Sequence, residues 1–270
     1  MAQINTLSIR KHKVAQGSDP LVAVTAYDYT FAKLVDGLVD IVLVGDSLGM
    51  VVQGHPNTLS VKLEEMIYHS RCVAKGLKSA HLVVDMPFMS YQINIESALK
   101  NAGRLLSEGE AHAVKVEGGV TVSRTITRMV EVGIPVMGHV GLTPQSVHAL
   151  GGYRVQGKTA SARESIIQDA IALEDAGVYA IVLEGIPIEL SQAITDRVKV
   201  PTIGIGAGPH CDGQILVLQD FLGLNIDFQP KFVKKFAELA EETRSAVNAY
   251  ASEVRKKSFP EKEHSFHVNS

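Results

Sequence analysis

Short runs rich in Val, Ile and Leu recur along the chain, separated by stretches whose apolar positions fall at helical spacing. That alternation marks βαβ units around a parallel sheet, whose strands are buried on both faces and read as continuous apolar runs. Eight strands are expected: Leu21 to Thr25, Ile41 to Gly45, His81 to Asp85, Ala113 to Glu117, Pro135 to Gly138, Tyr179 to Glu184, Thr202 to Ile205 and Ile215 to Gln219. Amphipathic helices are expected at Ile95 to Glu108, Ser123 to Val132, Ala162 to Ala176 and Ile188 to Asp196. Three of them stop at Gly109, Gly133 and Gly177, read as C-caps.

No linker, low-complexity tract or shift in composition interrupts the series, so one domain over residues 1–270 is expected. An N-terminal helix over about 5–16 precedes the first strand and helices from about Lys231 to Arg255 follow the eighth. The polar residues 256–270 read as a loose tail. Eight alternating units suit a closed barrel or an open doubly wound sheet. The first strand leads into TAYDYT rather than a glycine-rich dinucleotide fingerprint, which favours an α/β fold of the (β/α)8 TIM barrel class.

Composition narrows the function. With 46% hydrophobic and 20% charged residues the chain has the apolar content for a packed core. A net charge of −3 argues against nucleic acid or an anionic membrane as the main partner. No apolar run approaches the roughly 18 residues of a membrane span, and the start MAQINTLSIRKHKVAQGS lacks the apolar core of a secretory signal. That basic stretch is read as a surface helix rather than a transit peptide, and the expected compartment is the cytoplasm. Cys72 and Cys211 are too few for a disulfide framework or a structural zinc site.

In a parallel barrel the active site collects at the C-terminal ends of the strands. Those ends read IVLVGDS with Asp46, HLVVDMP with Asp85, AVKVEGG with Lys115 and Glu117, VMGHVGL with His139, and AIVLEGI with Glu184. One acid after a strand is as readily a helix N-cap, but four carboxylates and a lysine at successive strand ends point to a site. Lys115 and Glu117, two apart, share one side of their strand, as site groups or as a buried ion pair. His139 reads either as a site residue or as a hydrogen-bonded core histidine. Tyr27 and Asp28 are placed at the border of the pocket. Carboxylates without nearby cysteine suit a hard divalent cation, so Asp46 and Asp85 are the expected Mg²⁺ ligands. A metal chelated by the carboxylate and keto oxygen of a 2-oxo acid would stabilise the enolate formed when Glu184 or Glu117 removes a β-carbon proton.

Seven strings in order, VGDSLGMVVQGHPNTLSV, VVDMPFMSY, VKVEGG, GHVGLTPQ, GGYRVQGK, LEGIP and PTIGIGAG, resemble the ketopantoate hydroxymethyltransferase family from about Leu21 to Leu224. The resemblance implies a barrel of the phosphoenolpyruvate/pyruvate type. It also implies transfer of a hydroxymethyl group from 5,10-methylenetetrahydrofolate to 3-methyl-2-oxobutanoate, giving 2-dehydropantoate for pantothenate and coenzyme A synthesis. Carried over by position, Asp46 and Asp85 bind Mg²⁺ and substrate, and Glu117 holds the metal shell. Ser47 and Lys115 bind the oxo acid, and Glu184 accepts the proton. His139 lies in a family motif near the substrates, and a homodecamer is expected. The loop 151–158 is read as a lid or an ordinary loop, and GIGAG, 204–208, as close backbone packing rather than a phosphate cradle.

Three other readings compete. A related carbon-bond lyase would present a KKCGH-like loop, which this chain lacks. A Schiff-base aldolase would use Lys115. A barrel kept only as a scaffold would tolerate loss of the metal and base positions, which are intact.

Overall fold

The computed structural model describes residues 4–14, 17–227 and 229–268. Eight parallel strands close into a barrel in sequence order: β1 (Leu21–Thr25), β2 (Ile41–Val44), β3 (His81–Asp85), β4 (Ala113–Glu117), β5 (Val136–Gly141), β6 (Ala180–Glu184), β7 (Thr202–Ile205) and β8 (Gly213–Leu216), with β8 pairing back onto β1. Helices α2 (Tyr29–Val35), α3 (Leu48–Val51), α4 (Leu63–Ala74), α5 (Ile95–Ser107), α6 (Ser123–Glu131), α7 (Ala160–Asp175) and α8 (Ile188–Arg197) fill the connections, preceded by α1 (Thr6–Arg10). The expected barrel is therefore observed, and the open sheet is excluded. Among the described residues no helix is long and apolar enough to cross a membrane.

Strand side chains alternate between the two faces of a sheet, and that period of two builds the site. Toward the N-terminal ends, the inward positions are apolar: Ile41, Val83, Ala113, Met137, Val182 and Ile203 belong to one buried cluster, which Ile9 of α1 joins. Burying a side chain like Ile9, 1% exposed, contributes about 1.5–3 kcal/mol. Two residues further along β3, β4, β5 and β6, the same face carries Asp85, Lys115, His139 and Glu184, with Glu117 two beyond Lys115. Val114 and Val116, wholly buried, alternate to the outer face.

Several boundaries differ from expectation for physical reasons. The helix expected over 5–16 ends at Arg10, because Lys13 and the backbone N–H of Val14 bind the Asp212 carboxylate at 2.8 and 2.9 Å instead of continuing helical bonds. Residues 15 and 16 of that span lie outside the described residues. β5 runs three residues past the expected Gly138, since its ladder with β6 continues through His139↔Val182 to Gly141↔Glu184. β8 starts two residues earlier than expected, at Gly213, where a Cβ would sit 2.6 Å from Leu21 O, and residues 206–212 join it to β7 without a helix. Leu218 N–H donates to Thr25 Oγ1 at 3.1 Å, where the expected strand gives way to α9 (Leu218–Phe221). Gly133 and Gly177 take positive φ after α6 and α7, whereas after α5 the left-handed residue is Glu110 and Gly109 instead packs on Leu105 O and Ser70.

The expected single domain divides into two compact units, Met1–Leu218, which contains the barrel, and Gln219–Ser270. In the second unit, residues 231–238 are not helical and α10 (Leu239–Lys256) follows, whereas helix is expected from Lys231. The segment read as a loose tail folds back on α10: Ser258 N–H donates to Glu253 O at 3.0 Å, and the Phe259 ring meets Tyr250 edge-on. Residues 269 and 270 of that tail lie outside the described residues.

Candidate active site

Strand register brings the polar residues together. Asp85 pairs with Lys115 across β3 and β4, and Glu117 pairs with His139 across β4 and β5. Asp46, Asp85, Lys115, Glu117 and His139 are all buried, and Glu184 is largely so. Lys115 Nζ lies 2.8 Å from Asp85 Oδ1 and 3.1 Å from His139 Nδ1. The other carboxylate oxygen of Asp85 accepts the Asp46 N–H at 3.0 Å. On the far side of the imidazole, Nε2 stands 3.2 Å from Glu184 Oε2, close but not aligned as a hydrogen bond.

Four carboxyls and one ammonium share this buried space, and their protonation follows. Burial, reinforced by Asp85, raises Asp46 from 3.8 to about 7. Burial raises Glu184 from 4.5 to about 7 against the pull of Lys115. Glu117 is raised by burial as well. Burial opposes the charge on Lys115, but Asp85, Glu117 and Asp46 outweigh it and hold the ammonium above its ordinary value. Burial and the Lys115 charge keep His139 neutral. An ammonium donating to Nδ1 leaves the ring proton on Nε2, the nitrogen on the Glu184 side. His139 is thus both buried and a member of the cluster.

The sequence-predicted border residues separate. Tyr27, 2% exposed, shares a hydrogen bond of 2.9 Å with Ser47 Oγ, and Ser47 makes no capping bond to α3, so its hydroxyl stays with the site. Asp28 is exposed and caps α2 through Phe31 N–H, so for this acid the capping reading holds. The GIGAG segment packs closely: Cβ atoms at Gly204 and Gly208 would meet Cys211 Sγ at 2.9 Å and the Ile188 side chain at 2.6 Å. In the loop 151–158, Gly151, Gly152 and Gly157 have positive φ, Gln156 N–H is tied to Gly185 O, and Tyr153 Oη reaches Met50 Sδ at 3.5 Å. Burial and the charges of Asp46, Glu184 and Glu117 raise the Tyr153 phenol, so this side chain stands within the field of the acids. Two shallow hollows of about 520 Å³ lie elsewhere, beside Asp169 and beside Arg124.

Whether these residues suit Mg²⁺ can be tested on their own contacts. Asp85 Oδ1 is buried with the Lys115 ammonium as its close partner, and Asp46 is destabilised as an anion by burial and by Asp85, so the acids outnumber the one cation beside them. A hard dication relieves that excess, and Mg²⁺ commonly takes one or two carboxylates with water in its other positions. Among the described residues no three His, Cys, Asp or Glu side chains are gathered to hold one ion. Asp46 and Asp85 therefore offer a pair rather than a cage, and Glu117, whose Oε2 accepts the Gln145 N–H, stands back from them. Sequence reasoning passed over Gln145, which bonds to Asp46 and Glu117, and Tyr91 and Gln92, which bond to the Gln145 amide. The only signal for Gln145 was its place at the end of GHVGLTPQ.

Known proteins share the fold of the chain. A phosphonopyruvate hydrolase crystallised with oxalate and Mg++ superposes with a TM-score of 0.63 at 13% identity, covering 100% of this chain and 93% of its own. A 2,3-dimethylmalate lyase of the PEP mutase/isocitrate lyase superfamily gives 0.61 at 16% identity, covering 98% and 89%. At such identities the likeness is one of fold alone, a closed (β/α)8 barrel. The 3-methyl-2-oxobutanoate hydroxymethyltransferase of Pelobacter propionicus is 56% identical over 255 residues, 94% of each chain. Residues 3–262 match the ketopantoate hydroxymethyltransferase family, and on that match, with the identity to its curated relatives, the chain is an enzyme belonging to the ketopantoate hydroxymethyltransferase family.

Proposed function

We propose that the chain transfers a hydroxymethyl group from 5,10-methylenetetrahydrofolate to 3-methyl-2-oxobutanoate through an enolate, giving 2-dehydropantoate, with Mg²⁺ held by Asp46 and Asp85. The observation that carries the reading is Glu184, a carboxyl at the end of β6 raised by burial to about 7, 3.2 Å from a neutral imidazole and near enough for its charge to act on Asp46. A base with a pKa near the working pH combines an ionised form with useful proton affinity. Mg²⁺, when bound, supplies the charge that polarises the keto oxygen and stabilises the enolate.

The remaining work falls to the chain's own groups. Lys115, held as an ammonium, pairs with the carboxylate of the oxo acid, and the Ser47 hydroxyl, steadied by Tyr27, adds a second contact. Glu184 takes the proton from C3. His139, neutral, places its Nε2 beside Glu184, and Glu117 orders the shell around the acid pair. The C3 carbanion then bonds to the methylene carbon of the donor, both carbon–nitrogen bonds of that methylene break, water supplies the hydroxyl oxygen, and the C3 proton and one water proton end on the two freed nitrogens of tetrahydrofolate. Loop 151–158 covers the site and limits access of bulk water. The chain acts in the cytoplasm as a homo-oligomer, a decamer by its resemblance to the family, with no nucleic-acid or membrane partner.

Proton NMR in D₂O tests the two halves separately. Loss of the C3 proton without folate is expected, and product only with folate. Product formation without any C3 exchange in the absence of folate would instead mean that the donor must bind before enolisation.

A further inference from the structure

Gln145 lies in the 3-10 turn Pro144–Ser146 just beyond β5 and is 5% exposed. Its Nε2 donates to Asp46 Oδ2 at 2.8 Å and to Met86 O at 2.9 Å. Its backbone N–H donates to Glu117 Oε2 at 3.0 Å. At the other end of the amide, Oε1 accepts from Gln92 Nε2 at 3.2 Å and from Tyr91 Oη at 2.9 Å. The same Tyr91 hydroxyl lies 3.0 Å from Glu117 O, and its ring is buried.

We propose that Gln145 is a positioning residue that fixes the orientation of Asp46 and Glu117 for a divalent cation, with Tyr91 and Gln92 deciding which end of its amide faces the site. The proposal rests on the function proposed above. An amide can turn end for end, and only its NH₂ end can donate. Two donors, Tyr91 and Gln92, hold Oε1 on their side, so the NH₂ end faces Asp46. The bond donated to Oδ2 at 2.8 Å holds the Asp46 carboxylate in one orientation. Groups that orient a metal-binding carboxylate from behind typically change metal affinity about 10–100-fold when removed. Gln145 reaches both acids at once, one through its side chain and one through its backbone, so it sets their relative placement.

Mn²⁺ binding to the purified full-length chain, followed by electron paramagnetic resonance, tests the inference, with the melting temperature of the same samples as a control for folding. Gln145→Met preserves length and removes both the donor and the acceptor. It is expected to weaken Mn²⁺ binding at least about tenfold with little change in melting temperature. Tyr91→Phe, a milder variant with the same packing, should weaken binding in the same direction by a smaller factor. Because Tyr91 acts through the amide, the double variant should bind Mn²⁺ no more weakly than Gln145→Met alone. Binding within about twofold of the unsubstituted chain in Gln145→Met, or losses that multiply in the double variant, overturns the inference. Failure of the unsubstituted chain to bind Mn²⁺ overturns the proposed function and this inference together, whereas binding that survives Gln145→Met overturns the inference alone.

Discussion

Proton removal from C3 should follow the ionisation of Glu184, and the structure sets where that occurs. Burial raises this carboxyl from 4.5 to about 7. A base with that pKa is about 9% ionised at pH 6 and about 91% at pH 8, so the exchange rate should rise across the interval, by up to about tenfold and by less as a bound cation lowers the value. A carboxylate at its ordinary value would be ionised at both ends, and the rate would be flat. The same shift has a stability consequence of definite sign. Because the folded-state value is raised, the stability present below about pH 4.5 is lost as pH rises through about 7, by up to about 3 kcal/mol. Glu184→Gln is neutral at every pH and escapes that loss. In urea titrations the variant should be more stable than the unsubstituted chain at pH 8, by a margin that closes toward pH 4.5. An exchange rate unchanged between pH 6 and 8, together with no gain in stability in Glu184→Gln at pH 8, refutes the reasoning.

Three further outcomes are expected. Asp85→Asn should raise the Mg²⁺ concentration for half-maximal activity by about tenfold or more, and an unchanged metal requirement would remove Asp85 as a ligand. Borohydride with substrate should leave Lys115 unlabelled, since a Schiff base needs a neutral amine and its neighbours hold this one charged; a labelled Lys115 in a peptide map would restore the aldolase reading. Gly141→Ala should cost about 1–3 kcal/mol in urea titration, because Gly141 has φ +98° and an added Cβ would sit 2.3 Å from Glu184 O; an equally stable variant would show that β5 and β6 can move apart there.

Much of this was legible because burial and alternation leave local traces. β1, β3, β4 and β7 carry the bounds read from their apolar runs, since strands covered on both faces are apolar throughout. The side shared by Lys115 and Glu117 followed from the period of two alone. β8 was misplaced because its first two residues, Gly213 and Gln214, are not apolar and no helix separates it from β7. The helices α2, α3 and α4 were passed over, two of them too short for their apolar spacing to repeat. Asp28 and Asp46 look alike as acids after strands, and only three-dimensional neighbours show that one caps a helix while the other meets Asp85 and Gln145. Gln145 was hidden for the same reason. A neutral amide in a turn has no charge or period to mark it, and its partners lie between 28 and 99 residues away.

The central claim is that Glu184 deprotonates C3 of a 2-oxo acid beside a cation held by Asp46 and Asp85. Deuterium exchange at C3 of 3-methyl-2-oxobutanoate, measured for Glu184→Gln under conditions where Mn²⁺ binding is confirmed, tests it most directly. The account predicts unchanged metal affinity with exchange slowed by about 10²–10⁴-fold. Exchange at the rate of the unsubstituted chain would contradict it.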